Sequence, residues 1–123
     1  MLINILDLIR IKDWLKNIIL FFPLIFSGQV SQISDHMNIF SVFLIFCLSA
    51  SIIYIINDIT DLEVDRIHPL KKIIKPLASK RVSLDLAKKI LIFIFIILVI
   101  FLSFNKSILF HVLAYLFINL TYN

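Results

Sequence analysis

Apolar and charged residues alternate with helical spacing over residues 2–16. Ile3, Leu6 and Ile9 fall on one side of a helical wheel, whereas Asp7 and Arg10 fall on the other. Trp14 follows among charged residues, and tryptophan is enriched where a membrane protein meets the lipid headgroups. The pattern predicts an amphipathic helix that lies in the membrane interface.

Longer apolar segments follow, and we expect four transmembrane helices, at about residues 17–28, 38–57, 84–104 and from 107 onwards. The first contains Pro23 and spans the bilayer only if the preceding amphipathic turn enters it, because a spanning helix needs about 20 residues. Ser83 is a plausible N-cap for the third, with Asp85 in its first turn. The fourth is still running at Asn123, so we expect residues 1–123 to form a single, truncated transmembrane domain.

Composition supports this fold class. The chain is 61% hydrophobic with a mean hydropathy of +1.04, and it contains one Gly and three Pro. These values exclude an ordinary soluble globular protein and favour an all-α integral membrane protein, whose helices satisfy their own backbone groups. Cys47, the single cysteine, has no partner for an internal disulfide.

The distribution of Lys and Arg predicts the orientation. Of the 12 basic residues, only Lys106 follows the third apolar segment; the others precede the first segment, lie between the second and third, or, as Lys88 and Lys89 do, lie near the start of the third. Cytoplasmic segments carry the excess of Lys and Arg. We therefore expect the N-terminus, the 58–83 loop and the C-terminus to be cytoplasmic, in a bacterial inner membrane.

An acidic segment follows the second apolar segment directly, and it holds half of the chain's eight Asp and Glu residues. If the helix continues through residue 65, Asn57, Asp58, Asp61 and Asp65 share an arc of about 100°, and Glu63 faces away. Carboxylates on one face repel one another unless a cation lies between them. The stripe offers hard oxygen ligands that suit Mg²⁺ bound together with substrate phosphates. The alternative is a solvated helix end, balanced by nearby Lys and Arg.

The loop after this stripe is strongly basic, with Arg66, His68, Lys71, Lys72, Lys75, Lys80 and Arg81. Cations beside a metal site are suited to holding a diphosphate, because they neutralise its oxygens. We therefore interpret residues 58–83 as a cytoplasmic metal- and diphosphate-binding loop. Attraction to anionic lipid headgroups is the alternative for any single lysine. His68 has no second His or Cys nearby, which disfavours a zinc site.

The acidic motif resembles a known family. Asn57-Asp58-x-x-Asp61-x-x-x-Asp65 is similar to the first aspartate-rich motif of the UbiA-type intramembrane prenyltransferases. Asp65-Arg66-Ile67-His68-Pro69-x-Lys71-Lys72 resembles the decaprenyl-phosphate phosphoribosyltransferase-like branch of that family. Trp14-Leu15-Lys16-Asn17, Phe22-Pro23-Leu24 and Gly28 resemble the same branch.

The resemblance implies that Asn57, Asp58, Asp61 and Asp65 bind Mg²⁺, which holds the diphosphate of a donor. In most of the family the donor is a polyprenyl diphosphate, and in the similar branch it is phosphoribosyl diphosphate with a polyprenyl phosphate acceptor. The motif alone does not separate these reactions. Further phosphate contacts implied by the resemblance are Lys16, Asn17, Arg66, His68, Lys71, Lys72, Lys75 and Arg81. The expected partners are a polyprenyl lipid, the diphosphate-bearing donor and membrane lipids, and no nucleic acid.

The chain departs from the family pattern in several places. Family members form a bundle of about nine helices with a second aspartate-rich motif, whereas no acidic cluster follows Asp85 here. Position 75 is Lys where Arg-Pro is usual, and Lys80 stands where Gly is common. We therefore expect the N-terminal part of such a transferase, inactive alone or completed by a separate C-terminal half.

Two other function classes remain open at this point. One is a small four-helix transporter that works as a dimer, for which His111 is the only candidate for an ionisable group at mid-membrane. The other is an accessory membrane subunit without chemistry, whose basic loop binds anionic lipid.

Overall fold

The computed structural model describes residues 1–22, 26 and 33–121, with the backbone alone for residues 33–37. No strand occurs among these residues, which confirms the all-α prediction. The α-helices are α1 (Leu2–Leu8), α2 (Ile33–Thr60), α3 (Leu62–Ile67), α4 (Lys71–Ile74), α5 (Leu84–Phe104) and α6 (Leu109–Thr121). A 3₁₀ helix, Ile11–Phe21, follows α1, and a 3₁₀ turn, Lys106–Ile108, precedes α6.

Two of the described helices are long and apolar enough to cross a membrane, Asn38–Thr60 within α2 and Leu84–Phe104. The bounds of the second match the prediction, because Ser83 accepts a hydrogen bond from the Leu86 amide at 3.2 Å and caps the helix. The segment Lys106–Thr121 forms a shorter apolar helix. The predicted span at 17–28 falls partly outside the described residues, so the structure supports two of the four predicted spans.

The N-terminal segment differs from the single amphipathic helix that its pattern predicts. Helix α1 ends at Leu8, and Arg10 adopts the left-handed conformation with φ 52° and ψ 48°. The chain therefore changes direction at Arg10 and continues as a 3₁₀ helix along α2. Helical spacing cannot reveal this break, because its cause is a set of contacts with residues far along the chain.

Helix α2 lies at the centre of the described structure and packs against α5, α6 and the 3₁₀ helix. The buried cluster joins α1, α2, α5 and α6 to the loop before α5, through Leu8, Ile45, Ile52, Ile55, Leu77, Val82, Ile94, Leu98 and Val112. On the outer faces, Phe93, Phe104, Phe110 and Phe117 are all exposed. Exposed aromatic side chains of this kind suit a surface that lies in hydrocarbon rather than in water.

The loop between α4 and α5 folds back onto this core. Leu77, Ala78 and Val82 are buried, and the Arg81 guanidinium donates a 2.5 Å hydrogen bond to the carbonyl oxygen of Ile74. Because the loop is anchored at both ends, it holds α4 and Lys75 beside the C-terminal ends of α1 and α2. These are the ends that we expect on the cytoplasmic side. The candidate site lies at this junction.

Candidate functional site

The acidic motif follows a helical course with one interruption. Helix α2 ends at Thr60, Asp61 leaves the ideal helical conformation with φ −87° and ψ 4°, and α3 begins at Leu62. The amide of Asp61 still bonds to the Asn57 carbonyl oxygen at 2.9 Å, and that of Asp65 to the Asp61 oxygen at 2.8 Å. Helical spacing is therefore kept across the junction, and Asp58 and Asp65 face the same side.

Lys75 connects these two carboxylates. Its Nζ atom lies 2.8 Å from Asp58 Oδ1 and 2.5 Å from Asp65 Oδ2. The side chains of Asp58 and Asp65 are only 2% and 1% exposed. Glu63 is 84% exposed and pairs with Arg66 at 3.0 Å, away from this cluster. The two carboxylates thus form a buried pair that shares one ammonium group.

Two further cations reach the pair. Arg10 Nη2 lies 3.3 Å from Asp58 Oδ1, and Lys71 Nζ lies 3.2 Å from Asp65 Oδ1. The buried Asn57 Oδ1 atom has no hydrogen-bond partner among the described residues, and the ion pair with Lys71 is the contact of the buried Asp65 Oδ1 atom. Buried acceptor oxygens without a hydrogen bond are uncommon in folded proteins, and a bound ligand or ion is one explanation for them.

The charges in this cluster shift two pKa values. Burial raises the pKa of Asp65, but the ammonium groups of Lys75 and Lys71 outweigh it, and the pKa lies below its usual value. Burial lowers the pKa of Lys75, but Asp58 and Asp65 outweigh it, and the pKa lies above its usual value. Asp65 is therefore a carboxylate and Lys75 an ammonium at neutral pH.

A cavity of about 610 Å³ opens beside the pair, between α1, the end of α2 and α4. Its lining includes two carboxylates, Asp7 and Asp58, and five cationic side chains, Arg10, Lys12, Lys71, Lys75 and Arg81. Because cations outnumber carboxylates, the cavity attracts anions, and its charged groups offer several donors to phosphate oxygens. Buried carboxylates at one side of a cationic cavity can hold a metal ion against a bound phosphate.

The wall formed by Asp7, Arg10 and Lys12 is a contribution that sequence reasoning missed. The Arg10 guanidinium lies 4.3 Å from the centre of the Tyr54 ring, so Tyr54 and Asp58 fix it on two sides. In the sequence analysis, the charges of Arg10 and Lys12 contribute to the predicted membrane orientation, and Arg10 lies on the polar face of the predicted helix. Nothing local shows that this segment folds back onto Asp58.

Three of the predicted phosphate contacts, Lys71, Lys75 and Arg81, line the cavity. Arg81 has most of its donors occupied, because it also bonds to Ser79 Oγ at 2.9 Å and lies 3.6 Å from Asp7 Oδ2. It therefore joins the loop to α1 and shapes the wall of the cavity.

The structure places the other predicted phosphate contacts elsewhere. Lys16 pairs with Asp13 at 2.8 Å, and Asn17 donates to Cys47 Sγ at 3.4 Å. Arg66 pairs with Glu63, and Lys72 is exposed outside the cavity lining. His68 Nδ1 accepts hydrogen bonds from the backbone amides of Leu70 and Lys71, at 3.2 and 3.3 Å, and shapes the start of α4.

The predicted metal ligands are only partly assembled. Among the described residues, no group of three or more His, Cys, Asp or Glu side chains lies close enough to hold a metal ion. Asp61 is half-buried and forms no ion pair within the described part of the chain. Two carboxylates and an amide oxygen without a hydrogen-bond partner are among the ligand types that Mg²⁺ takes beside substrate phosphates. The described residues therefore offer part of the ligand set of a magnesium ion.

Comparisons with known proteins agree on one family. The model of the UbiA prenyltransferase family matches residues 19–123. A decaprenyl-phosphate phosphoribosyltransferase of Mycolicibacterium smegmatis is 40% identical over 80 residues, which cover 62% of this chain and 25% of the relative. The nodulation protein NoeC of Azorhizobium caulinodans is 39% identical over 74 residues, 60% of this chain and 24% of the relative. A decaprenyl-phosphate phosphoribosyltransferase of Corynebacterium glutamicum is 33% identical over 73 residues, 58% of this chain and 22% of the relative.

The chain thus spans about a quarter of the length of these curated relatives. No solved structure matches it.

Proposed function

Because the chain belongs to the UbiA prenyltransferase family, we propose that its cationic cavity binds the diphosphate of a donor in a transfer reaction on a polyprenyl substrate. The observation that carries this proposal is the position of the buried Asp58–Asp65 pair beside the cavity. A helix end that was merely solvated would expose its carboxylates. These two are buried; Asp58 lines a cavity rich in cationic side chains, and Asp65 is joined to that cavity through Lys75.

Asn57, Asp58, Asp61 and Asp65 would hold Mg²⁺, which when bound neutralises charge on the departing diphosphate. Arg10, Lys71 and Lys75 offer their donors to the remaining phosphate oxygens, because all three line the cavity. These cations favour departure of the diphosphate, since they stabilise charge that grows as the bond breaks. Arg81 and Asp7 hold the loop and α1 together around the ligand.

We propose phosphoribosyl transfer to a polyprenyl phosphate as the specific reaction. Relatives from two organisms described above are named decaprenyl-phosphate phosphoribosyltransferase. The number of cations around the cavity also suits a donor with several phosphate charges. A prenyl diphosphate donor is the alternative, and competition between the two compounds for the cavity distinguishes them.

The proposed orientation places the N-terminus and the 58–83 loop in the cytoplasm of a bacterial inner membrane. Helix α1 and the loop meet at the cavity, where Asp7 approaches Arg81 and Arg10 binds Asp58. Both segments therefore lie on the same side of the membrane, in agreement with the Lys and Arg distribution. A cytoplasmic site has direct access to a water-soluble diphosphate donor.

We also propose that residues 1–123 provide one part of the metal site and turn over little substrate alone. The described residues bring together only two carboxylates, and the matched residues cover only about a quarter of each relative. A second acidic motif outside residues 1–123 would complete the ligand set. Binding is therefore a sharper test of the site than turnover.

The test compares the double variant Asp61→Asn, Asp65→Asn with Glu63→Gln. Purified protein is titrated with pyrophosphate by calorimetry, with and without Mg²⁺. We expect the double variant to lose roughly tenfold or more of its Mg²⁺-dependent affinity, because two charged ligands are neutralised. Glu63→Gln removes a carboxylate of the same segment that pairs outside the cluster, so its affinity should equal that of the wild type.

Unchanged Mg²⁺-dependent affinity in the double variant would show that the acidic motif does not hold the metal. An equal loss in Glu63→Gln would show that net charge alone determines binding. Either result contradicts the proposed site.

A further inference from the structure

Lys75 occupies the position between the carboxylates that a metal ion would need. Its Nζ atom binds one oxygen of each carboxylate, and its side chain is only 16% exposed. It comes from the loop after α4, whereas both aspartates come from the α2–α3 segment. Two buried carboxylates that face each other repel unless a cation compensates them. In the described structure Lys75 is that cation.

A divalent ion and the Lys75 ammonium cannot both occupy this position favourably. Each needs the lone pairs of Asp58 and Asp65, and the pair already has Arg10 and Lys71 beside it. Adding a doubly charged ion to three cations around two carboxylates gives strong repulsion. Entry of the ion therefore requires that Lys75 leave the pair.

The structure provides both a destination for Lys75 and oxygens for the incoming ion. Lys75 lines the cavity, and its flexible four-carbon stem lets the ammonium turn toward a ligand there. The buried Oδ1 atom of Asn57 has no hydrogen-bond partner among the described residues, whereas the Oδ1 atom of the fully buried Asp65 is paired with Lys71 at 3.2 Å. The Asn57 oxygen is therefore available to an ion without the loss of an existing bond, and the Asp65 oxygen becomes a ligand in exchange for its ion pair with Lys71.

We propose that Lys75 is an exchangeable counter-cation. It holds Asp58 and Asp65 together while no metal is bound, and it transfers to the phosphate oxygens of the ligand when a divalent ion takes its place. This inference rests on the proposed function, and it adds that metal binding and diphosphate binding depend on each other. Metal binds weakly alone and tightly with a diphosphate, because only the diphosphate gives Lys75 a new partner. By linkage, metal raises the affinity for diphosphate by the same factor.

The test measures Mn²⁺ binding from the electron paramagnetic resonance signal of the free ion, with and without pyrophosphate. Lys75→Gln is compared with Lys72→Gln, which removes the same charge from an exposed position outside the cavity. We expect Lys75→Gln to bind Mn²⁺ alone at least fivefold more tightly than the wild type. Pyrophosphate should improve its Mn²⁺ affinity less than it improves that of the wild type. Lys72→Gln should match the wild type in both measurements.

A second measurement uses the wild type only, so it does not depend on the folding of a variant. Acetylation of each lysine by a water-soluble reagent is followed by mass spectrometry. Millimolar Mg²⁺ should increase labelling of Lys75, and Mg²⁺ with pyrophosphate should decrease it, while Lys72 stays constant. Constant labelling of Lys75 in all three conditions would overturn the exchange.

The outcomes separate this inference from the proposed function. If the wild type binds Mn²⁺ with pyrophosphate but Lys75→Gln binds Mn²⁺ alone no more tightly, the exchange is wrong and the proposed site survives. If the wild type binds no Mn²⁺ even with pyrophosphate, the proposed function fails and the exchange fails with it.

Discussion

Arg10 and Lys80 are the described residues other than glycine that hold a positive φ, at 52° and 61°. Residues with a Cβ atom avoid this region because of steric contact with the backbone, and they occupy it where the surrounding contacts require it. For Arg10 those contacts are Asp58 and the Tyr54 ring, so the strain lies at the candidate site. Lys80 is exposed and lies at the turn before α5.

Lys80→Gly should stabilise the protein, because glycine occupies the left-handed region without steric cost. We expect a gain of about 1 kcal/mol, which is the usual penalty for a side chain in this conformation. The measurement is the apparent unfolding temperature in detergent. This geometry also gives a physical reason for the glycine that is common at this position in the family that the sequence resembles.

Lys72→Gly provides the matched control for that change. It removes the same charge at a position inside α4, where glycine lowers helix stability by about 1 kcal/mol. Lys72→Gly should therefore lower the unfolding temperature. A decrease for Lys80→Gly as well would show that the left-handed turn carries no strain.

At the scale of elements, Ser51 fixes the N-terminal segment to α2. Its Oγ atom accepts a hydrogen bond from Trp14 Nε1 at 3.0 Å and donates one to the carbonyl oxygen of Ile9 at 2.7 Å. Ser51 is fully buried, so these bonds form away from water. They lie on both sides of Arg10 in the chain and hold that residue over Asp58.

Ser51→Ala should loosen this attachment, because Trp14 and Ile9 each lose a buried partner. Loss of a buried hydrogen-bond partner costs about 1–3 kcal/mol. We expect faster hydrogen exchange across residues 9–14 and a change in tryptophan emission, which reports on this contact because the chain has a single Trp.

Ser49→Ala is the control for that experiment. Ser49 is also fully buried in α2, but its hydroxyl donates to the Ile45 carbonyl oxygen one turn earlier in the same helix, at 2.7 Å. Hydrogen exchange in the N-terminal segment should stay unchanged in this variant. Equal effects of the two substitutions would refute a specific role for Ser51.

At the scale of the molecule, the cavity forms where α1, the end of α2 and the basic loop meet. Lys106 lies at the other end of α5, before α6. If α5 crosses the membrane, as its length and composition allow, its two ends lie on opposite sides. The orientation is therefore open to a test with two engineered cysteines.

The test uses Cys47→Ala as the background and adds Lys72→Cys or Lys106→Cys, both at exposed positions. A membrane-impermeant maleimide should label Lys106→Cys in intact spheroplasts. Lys72→Cys should react only after permeabilisation, because the loop is expected in the cytoplasm. Labelling of Lys72→Cys in intact spheroplasts would reverse the proposed orientation.

Elements that depend on local pattern can be predicted from the amino-acid sequence. The bounds of α5 follow from an uninterrupted apolar run behind the Ser83 cap. The shared face of Asp58 and Asp65 follows from helical spacing, and so does the separate position of Glu63. The acidic motif also pointed to the family, and the family model that matches residues 19–123 confirms it.

Which cations meet those carboxylates depends on contacts between distant segments, and no local pattern predicts them. Arg10 and Asp58 are 48 residues apart, and their contact depends on a left-handed turn that is unfavourable for arginine alone. Lys75 is one of several lysines in a basic loop, and its burial between Asp58 and Asp65 follows from how Pro76, Leu77 and Val82 pack. Sequence pattern reports periodicity within one segment, whereas the site arises where three segments meet, and that meeting is set by long-range packing.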